Sequence, residues 1–594
     1  MIVFAGLILA LIAGSLYVQV FDPEGYRDRT GQDRIDLPAS RGEIADRNGT
    51  PMALSQPAVN IVADPATVAT NGGTWEQMSL GARLRAKAGP GIIAGIVSAF
   101  LGGDFNDYYA GLTRVTNADG EPNRYALLYP QVMDYYEQQV DEAIDRLGYV
   151  GIASQSSPLR TYPNGSTAAN VVGYLTTSEE LVAQGKYPMV GAEGVEQSFN
   201  TQLAGVDGYG KFEVSGYGRI PTGDNVVVEP VEGQSYQLTI DLPLQLMQDQ
   251  LLAQAVADNQ ARGGMAITMA VETGEVLAMS VNPVFDSNNL TPTPVEDQGN
   301  RAIRYSYEPG SVQKLLTVAA VIDQGLADQG THLEVPGHLN AGGAIISDAF
   351  SHGTMRMTTA GVIGRSSNIG AVLLARQSSK SALIDYMHSF GLGAATGVGL
   401  PREELGLVPD ANMTDQERDM MAFGQGISVT AIQEAAAVNA IANGGVYIQP
   451  TIVKAATNAA GQEVDMPTAQ THRVVSEETS TQVLNMMESV VALNPGSLDI
   501  PGYRTAAKSG TAQAAGPNGA GYNGTGSGWV MSYLGVAPAE DPQILTYVVI
   551  DYPQATTTGT AAAAPVAESV LSLALSRYGV PPSTTPSSNL PVDW

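Results

Sequence analysis

The chain of 594 residues contains no cysteine. Disulfides, thiolate zinc sites and a cysteine nucleophile are therefore excluded. Histidine is scarce too. His332, His338, His352, His388 and His472 show no metal-ligand spacing and no H-E-x-x-H pair, so each reads as a loop or surface residue. No metal and no cofactor is expected. Basic residues are few, 30 Lys and Arg against 59 Asp and Glu, for a net charge of −29. Such a field repels phosphate backbones and anionic surfaces, so no nucleic-acid partner is expected. Charged residues make up only 15% and apolar residues 44%, an ordinary globular composition with material for two or three cores. No internal repeat is present.

What is there begins with one apolar run. Ile2 to Phe21 is interrupted only by glycines, Ser15, Tyr17 and Gln19, and Asp22-Pro23-Glu24-Gly25 stops it. About 20 such residues span a bilayer core as a helix. The run is long for a signal peptide and no basic segment precedes it. Residues 1–21 are therefore expected to be an uncleaved, single-pass anchor. Arg27, Arg29, Arg34, Arg41 and Arg47 follow it, which by a positive-inside count places the bulk of the chain in the cytoplasm. Large domains translocate regardless of such charge, so the count does not decide.

Residues 22–235 read as a β-rich first domain. Asn48-Gly49 between two extended segments signals a hairpin. Residues 72–150 are mixed and partly helical, and the Gly-rich stretch 205–233 reads as a connector. A second domain is expected over 236–580: a strand at Tyr236 to Ile240, a helix over 244–259, a hairpin at 264–280, a helix-rich middle, strands at 505–513, 529–537 and 544–551, and a closing helix. That order implies an α/β sandwich, an antiparallel sheet covered by helices. The Pro/Ser/Thr-rich tail 581–594 is expected to be disordered.

Three short elements carry chemistry. In Tyr307-Glu308-Pro309-Gly310-Ser311-Val312-Gln313-Lys314, Pro-Gly breaks the chain and Ser311 opens an apolar helix. Positions i and i+3 share a helix face, so Lys314 can reach the Ser311 hydroxyl. The helix N-terminus and poor hydration both favour the neutral amine that a lysine base needs. Ser366-Ser367-Asn368 precedes a second helix. Lys508-Ser509-Gly510-Thr511 lies on a strand of small residues, where a cation followed by hydroxyls suits a carboxylate. Read singly, these are two capping serines and an edge-strand lysine.

In this order, Ser-x-x-Lys, Ser-x-Asn and Lys-Ser/Thr-Gly resemble the penicillin-recognising serine enzymes. Arg41 to Gly49, reading R-G-E-I-A-D-R-N-G, resembles the R-G-x-I-x-D-R-x-G signature of class B penicillin-binding proteins. So do Arg160-Thr161-Tyr162-Pro163, Gly194-Val195-Glu196, Leu238 to Asp241, Phe423-Gly424-Gln425-Gly426 and Ile441 to Gly445. Lys-Ser-Gly stands where Lys-Thr-Gly is commoner, and the hydroxyl is kept. No glycosyltransferase signature precedes the second domain, unlike the bifunctional class A enzymes.

The resemblance implies a penicillin-recognising transpeptidase fold on a pedestal of the dimerisation type. It implies a D,D-transpeptidase cross-linking peptidoglycan stem peptides that end in D-Ala-D-Ala, inhibited by β-lactams, at the cell membrane with its catalytic domain outside. Ser311 would be the nucleophile, Lys314 its base, Ser366 the proton relay, and Asn368 the residue that holds the substrate amide and Lys314. Lys508, Ser509, Gly510 and Thr511 would form the carboxylate-binding strand, with the N–H groups of Ser311 and Thr511 as oxyanion hole. Division or elongation proteins, a glycosyltransferase among them, are the implied partners, and the motifs lean to the septal type. The rival readings are a β-lactamase or D,D-carboxypeptidase, with Glu403 or Glu404 as deacylating base, and a non-catalytic β-lactam sensor or divisome scaffold.

Overall fold

The computed structural model describes residues 31–177, 189–215, 218–219, 225–514, 528–556 and 558–594. The anchor expected over Ile2 to Phe21 lies outside them. Among the described residues, Leu80–Leu101 and Gly559–Arg577 are long and apolar enough to cross a membrane. Each buries a face in a protein core, the first through Ala86, Ile93, Ala94 and Val97, the second through Val566, Val570 and Leu571.

The second half of the chain is built on one antiparallel sheet. Its elements are α1 (Leu242–Asp258), β1 (Gly263–Ala270), β2 (Val276–Asn282), α2 (Lys314–Asp323), α3 (Asn368–Ala375), α4 (Ala431–Ala442), α5 (Glu477–Leu493), β3 (Ala506–Ala514), β4 (Gly528–Ala537), β5 (Ile544–Asp551) and α6 (Gly559–Arg577). The strand order is β2-β1-β5-β4-β3, which leaves β3 on an edge. Side chains alternate across a strand. Met265, Ile267 and Met269 of β1 enter the core shared with α2 and α4, while Ala266 enters the one shared with α1 and α6. Sheet residues buried on both faces read as near-continuous apolar runs, which is what β4 and β5 are. α2 is apolar all round and buried from Lys314 to Ile322, as befits a helix enclosed by others. Asp241 caps α1 through the Leu244 N–H at 3.2 Å and pairs with Arg577 of α6 at 2.6 Å, so both covers of one face are pinned together.

The first domain has two parts. Ala58–Ala63 pairs with Ala126–Met133 and Ile152–Ser156, and three helices from the 80–146 region cover this sheet around Ile61, Ile93, Leu112 and Ile144. The described parts of 205–233 are not a mere connector. Gly208–Ser215 pairs with Gly31–Leu37 from Val214 opposite Gly31 to Gly208 opposite Leu37, and Val226–Val228 flanks it. Glycine has low strand propensity, and only the partner strand reveals the pairing.

The domains share a six-stranded sheet. Ser235–Leu238 pairs in parallel with Ile44–Ala45 and antiparallel with Val453–Thr457. Arg41, Arg160 and Glu196, from three motifs far apart in sequence, meet here. Glu196 accepts from Arg41 Nε at 2.6 Å and from Arg160 Nε at 2.7 Å, with its own side chain fully buried. Arg160 also donates to the Gly42 carbonyl at 2.8 Å.

Residues 581–594, expected to be disordered, instead pack on the second domain. Their composition supplies no core of its own, but the body provides partners. The Arg504 N–H donates to Ser583 Oγ at 2.8 Å and the Ser588 N–H donates to Glu488 at 2.8 Å.

Two predictions follow from burial. Breaking a buried ion pair by removing one partner leaves uncompensated charge, so Glu196→Ala should cost about 3–5 kcal/mol in urea unfolding. Glu434, on α4, is fully buried and neither carboxyl oxygen has a partner among the described residues; burial raises its pKa from 4.5 to about 8. The folded state therefore holds a proton that the unfolded chain releases above pH 4.5. Stability contributed by that proton falls as pH rises from 4.5 to about 8, by about 5 kcal/mol in all. Glu434→Gln should abolish this part of the slope in unfolding measured from pH 5 to 8.

Candidate active site

Ser311 does not open an α-helix. Gly310–Gln313 forms one 3₁₀ turn, and α2 starts at Lys314. In a 3₁₀ turn, residues i and i+3 eclipse, which stacks Ser311 directly over Lys314. Lys314 Nζ donates to Ser311 Oγ at 3.0 Å. The turn is clamped from outside by the 423–429 loop. Tyr307 and Val429 exchange two backbone hydrogen bonds of 2.9 Å, the Gly310 N–H donates to the Gly424 carbonyl at 3.1 Å, and the Gly426 N–H donates to Glu308 at 2.7 Å.

Ser366 sits between two lysines. Its Oγ accepts from Lys314 Nζ at 3.2 Å and from Lys508 Nζ at 2.8 Å, and its carbonyl accepts from Lys314 at 2.6 Å. It holds φ +59°, a left-handed conformation uncommon for serine. Both lysines are wholly buried. Burial lowers the Lys314 pKa well below the ordinary value, and the charge of Lys508 adds to this while Asp348 opposes it. Burial alone takes Lys508 down to about 7. Two like charges about 5 Å apart at an effective dielectric of about 20 repel by roughly 3 kcal/mol. Burial and this repulsion both favour the neutral form of Lys314. An amine in that state, 3.0 Å from a serine hydroxyl, can take its proton.

Lys508 lies on the edge strand β3. Gly510, two residues on, is where the nucleophile turn comes closest: an added Cβ would stand 2.2 Å from Ser532 Oγ and 3.0 Å from the Pro309 carbonyl. Ser509 is half-buried and Thr511 is exposed, with Thr511 Oγ1 accepting from the Gly559 N–H at 3.3 Å. The expected residues of all three motifs thus converge. The departure is Asn368, whose Nδ2 donates to the Ser347 carbonyl at 3.0 Å. Its position as the first residue of α3 turns the side chain to that loop, and the carbonyl and hydroxyl of Ser366 hold Lys314 instead.

Sequence reasoning missed Asp348. Its buried carboxylate accepts from Ser367 Oγ at 2.7 Å, from the Ile369 N–H at 3.0 Å and contacts His352 Nε2 at 3.0 Å, so it props the start of α3. A signal existed: Asp348 is the one Asp, Glu, Lys or Arg between Leu339 and Met355. Glu403 is no free base. Its carboxylate accepts from Thr396 N and Oγ1 at 2.7 Å each, and from the N–H groups of Gly397 and Val398 at 3.0 and 3.2 Å, which makes it a loop staple.

A serine and a neutral lysine at the head of a buried helix, beside the edge of an antiparallel sheet, define the architecture of an acyl-transferring serine enzyme. The penicillin-binding protein transpeptidase domain matches residues 264–572, and the penicillin-binding protein dimerisation domain matches residues 36–238. The penicillin-binding protein PbpB of Mycobacterium tuberculosis is 31% identical over 98% of this chain and 85% of its own length. The peptidoglycan D,D-transpeptidase FtsI of Escherichia coli K12 is 34% identical over 87% of this chain and 80% of its own. The crystal structure of penicillin-binding protein 3 from M. tuberculosis complexed with ampicillin superposes with a TM-score of 0.69 at 28% identity, covering 95% of this chain and all of that one. The chain belongs to the penicillin-binding protein family, in its class B branch of the septal type.

The electrostatic argument is testable at Lys508. Lys508→Ala removes the positive charge facing Lys314, so Lys314 regains basicity and less of it is neutral at a given pH. The alkaline rise of Ser311 acylation by a β-lactam should move to higher pH in stopped-flow rates between pH 5 and 9. The rate itself should fall about 10²–10³-fold. Lys508→Arg should keep the profile while losing rate, because its reach and geometry differ.

Proposed function

We infer that this chain is a monofunctional peptidoglycan D,D-transpeptidase of cell division, which cross-links stem peptides through an acyl-serine intermediate. The observation that carries the reading is the buried Lys314 amine within 3.0 Å of Ser311 Oγ, its pKa held low. The donor peptide, ending in D-Ala-D-Ala, lies along the open edge of β3 as an added strand. Ser311 Oγ attacks the carbonyl carbon of the penultimate D-Ala and its proton passes to Lys314. The oxyanion rests on the N–H groups of Ser311 and Thr511. As the tetrahedral centre collapses, the C–N bond breaks and D-Ala leaves with a proton relayed through Ser366. An acceptor amine then attacks the ester, gives a proton to Lys314, and Ser311 recovers its own.

In this reading Lys508 supplies positive potential, Ser509 and Thr511 bind the terminal carboxylate, Gly510 lets the strand and the nucleophile turn approach, and Asn368 meets the substrate amide from α3. A β-lactam enters as the donor does and stays as a stable ester. Glu403, fully occupied in its loop, offers no base to hydrolyse that ester. Residues 1–21 serve as a single-pass anchor, residues 22–235 as the pedestal and residues 236–580 as the catalytic domain outside the cytoplasm. Its partners are peptidoglycan stem peptides and proteins of the division complex, including a glycosyltransferase.

The test is labelling with a fluorescent penicillin. The unaltered chain should form an adduct on Ser311 that lasts many minutes, and Ser311→Ala should form none. Loss of such a nucleophile costs about 10⁶-fold in turnover. Rapid release of the adduct would mark a hydrolase, and a label on another serine would displace Ser311 from its role.

A further inference from the structure

Ser366 contacts both lysines, yet nothing in its own sequence explains its left-handed backbone. What holds it is the short helix before it, Thr359–Gly364. The Ser366 N–H donates to the Ile363 carbonyl at 3.2 Å and the Ser367 N–H to the Val362 carbonyl at 2.9 Å. Where that helix sits decides where Ser366 sits.

The helix is in turn gripped by the end of the tail. Thr358 caps it, accepting from the Gly361 N–H at 3.0 Å, and the same hydroxyl donates to the Pro591 carbonyl at 2.5 Å. The Thr358 N–H donates to the Val592 carbonyl at 3.1 Å, and the Trp594 N–H donates to the Arg356 carbonyl at 3.3 Å. Pro591–Trp594 thereby extends the strand Met355–Thr358 in β fashion. Gly361 leaves room for this: a Cβ there would stand 1.9 Å from the Val592 carbonyl oxygen. Asp593 pairs with Arg365, the residue next to Ser366, and the Trp594 ring stacks on His332 at 4.3 Å with Arg356 over it at 5.0 Å.

These contacts are not core packing. Pro591, Asp593 and Trp594 are exposed, and Val592 alone of the strap lines the adjoining cavity of about 350 Å³, with Glu488, Leu493, Tyr503 and Leu590. A segment exposed along most of its length can lift without unpacking the core. Its contacts are instead concentrated on the cap, the glycine and the final arginine of the helix that presents Ser366.

We propose that the strap Pro591–Trp594 is a positioning element of the acylation site, acting through the Thr359–Gly364 helix and Arg365 on Ser366. When it is docked, the carbonyl and hydroxyl of Ser366 face Lys314 and Lys508. When it is released, the helix loses its outer support and Ser366 relaxes from its left-handed conformation. Lys314 then loses two acceptors and its register with Ser311. Asp593 and Thr358 are positioning residues; neither touches the substrate.

The inference rests on Ser311 being the acylated serine. The experiment measures acylation of the full chain by a fluorescent penicillin, separating the rate constant of ester formation from the prior dissociation constant. The chain ending at Leu590 should keep its circular dichroism spectrum and its dissociation constant, while ester formation slows about tenfold. A synthetic peptide of residues 587–594, SSNLPVDW, added in trans should restore the rate, and the same peptide with Asp593→Ala should not. In the full chain, Asp593→Ala should be slow and Asp593→Glu near normal. If the shortened chain does not fold, this last pair decides alone, and equal rates for the two overturn the proposal. Equal ester formation in the full and shortened chains overturns it as well, as does a slow, folded, shortened chain that the peptide fails to rescue. No labelling of the unaltered chain would overturn the acylation reading first, and the strap with it.

Discussion

Two amines share one dry pocket, and most of the second domain exists to make that tolerable. A buried ammonium is costly unless it is paired or loses its proton. Here Lys314 and Lys508 both turn to Ser366 Oγ, with no carboxylate bonded to either among the described residues. The nearest compensation is indirect, the buried Asp348 beneath Ser367. Burial, with the charge of Lys508 beside it, favours the neutral form of Lys314, and a neutral lysine is what a serine nucleophile requires. The same pocket with a carboxylate against Lys314 would be more stable and chemically idle.

That pocket lies where three chain segments cross, and each is held by a device of its own. The Ser311 turn is clamped by the 423–429 loop, the Ser366 turn by Asp348 below and the tail beyond, and the Lys508 strand by an antiparallel ladder of nine residue pairs with β4. Among the described residues, β3 has a partner on one side only. Its free edge is the direction from which an extended peptide can pair, and Gly510 brings that edge against the nucleophile turn. Geometry, rather than any one residue, makes the edge productive instead of an aggregation hazard.

The pedestal is coupled to this site by shared backbone rather than by a hinge. Ile44 pairs with Tyr236 and Tyr236 with Ala456, so one sheet contains strands from both domains. Glu196 and its two arginines fasten the first domain's side of that sheet, and Arg47 crosses to Glu275 at the β1–β2 turn. A load on the pedestal therefore has a continuous path toward the catalytic sheet.

The amino-acid sequence alone carried the strand and helix pattern of the second domain and the i, i+3 placement of Ser311 and Lys314, because strand alternation, glycine breaks and i, i+3 spacing are local properties. It also determined what chemistry is absent, since a chain without cysteine cannot use a thiol. Tertiary structure decided the rest. The role of Asn368 turned on which carbonyl its amide met, the strand character of Gly208–Ser215 on a partner at Gly31–Leu37, and the order of the tail on acceptors and donors in the body. Asp348 became visible only when residues 19 positions apart in the chain closed into one hydrogen-bond set. The neutral state of Lys314 was likewise a tertiary outcome. Desolvation and the repulsion of Lys508 depend on burial and distance, and neither is written in the spacing of a four-residue motif.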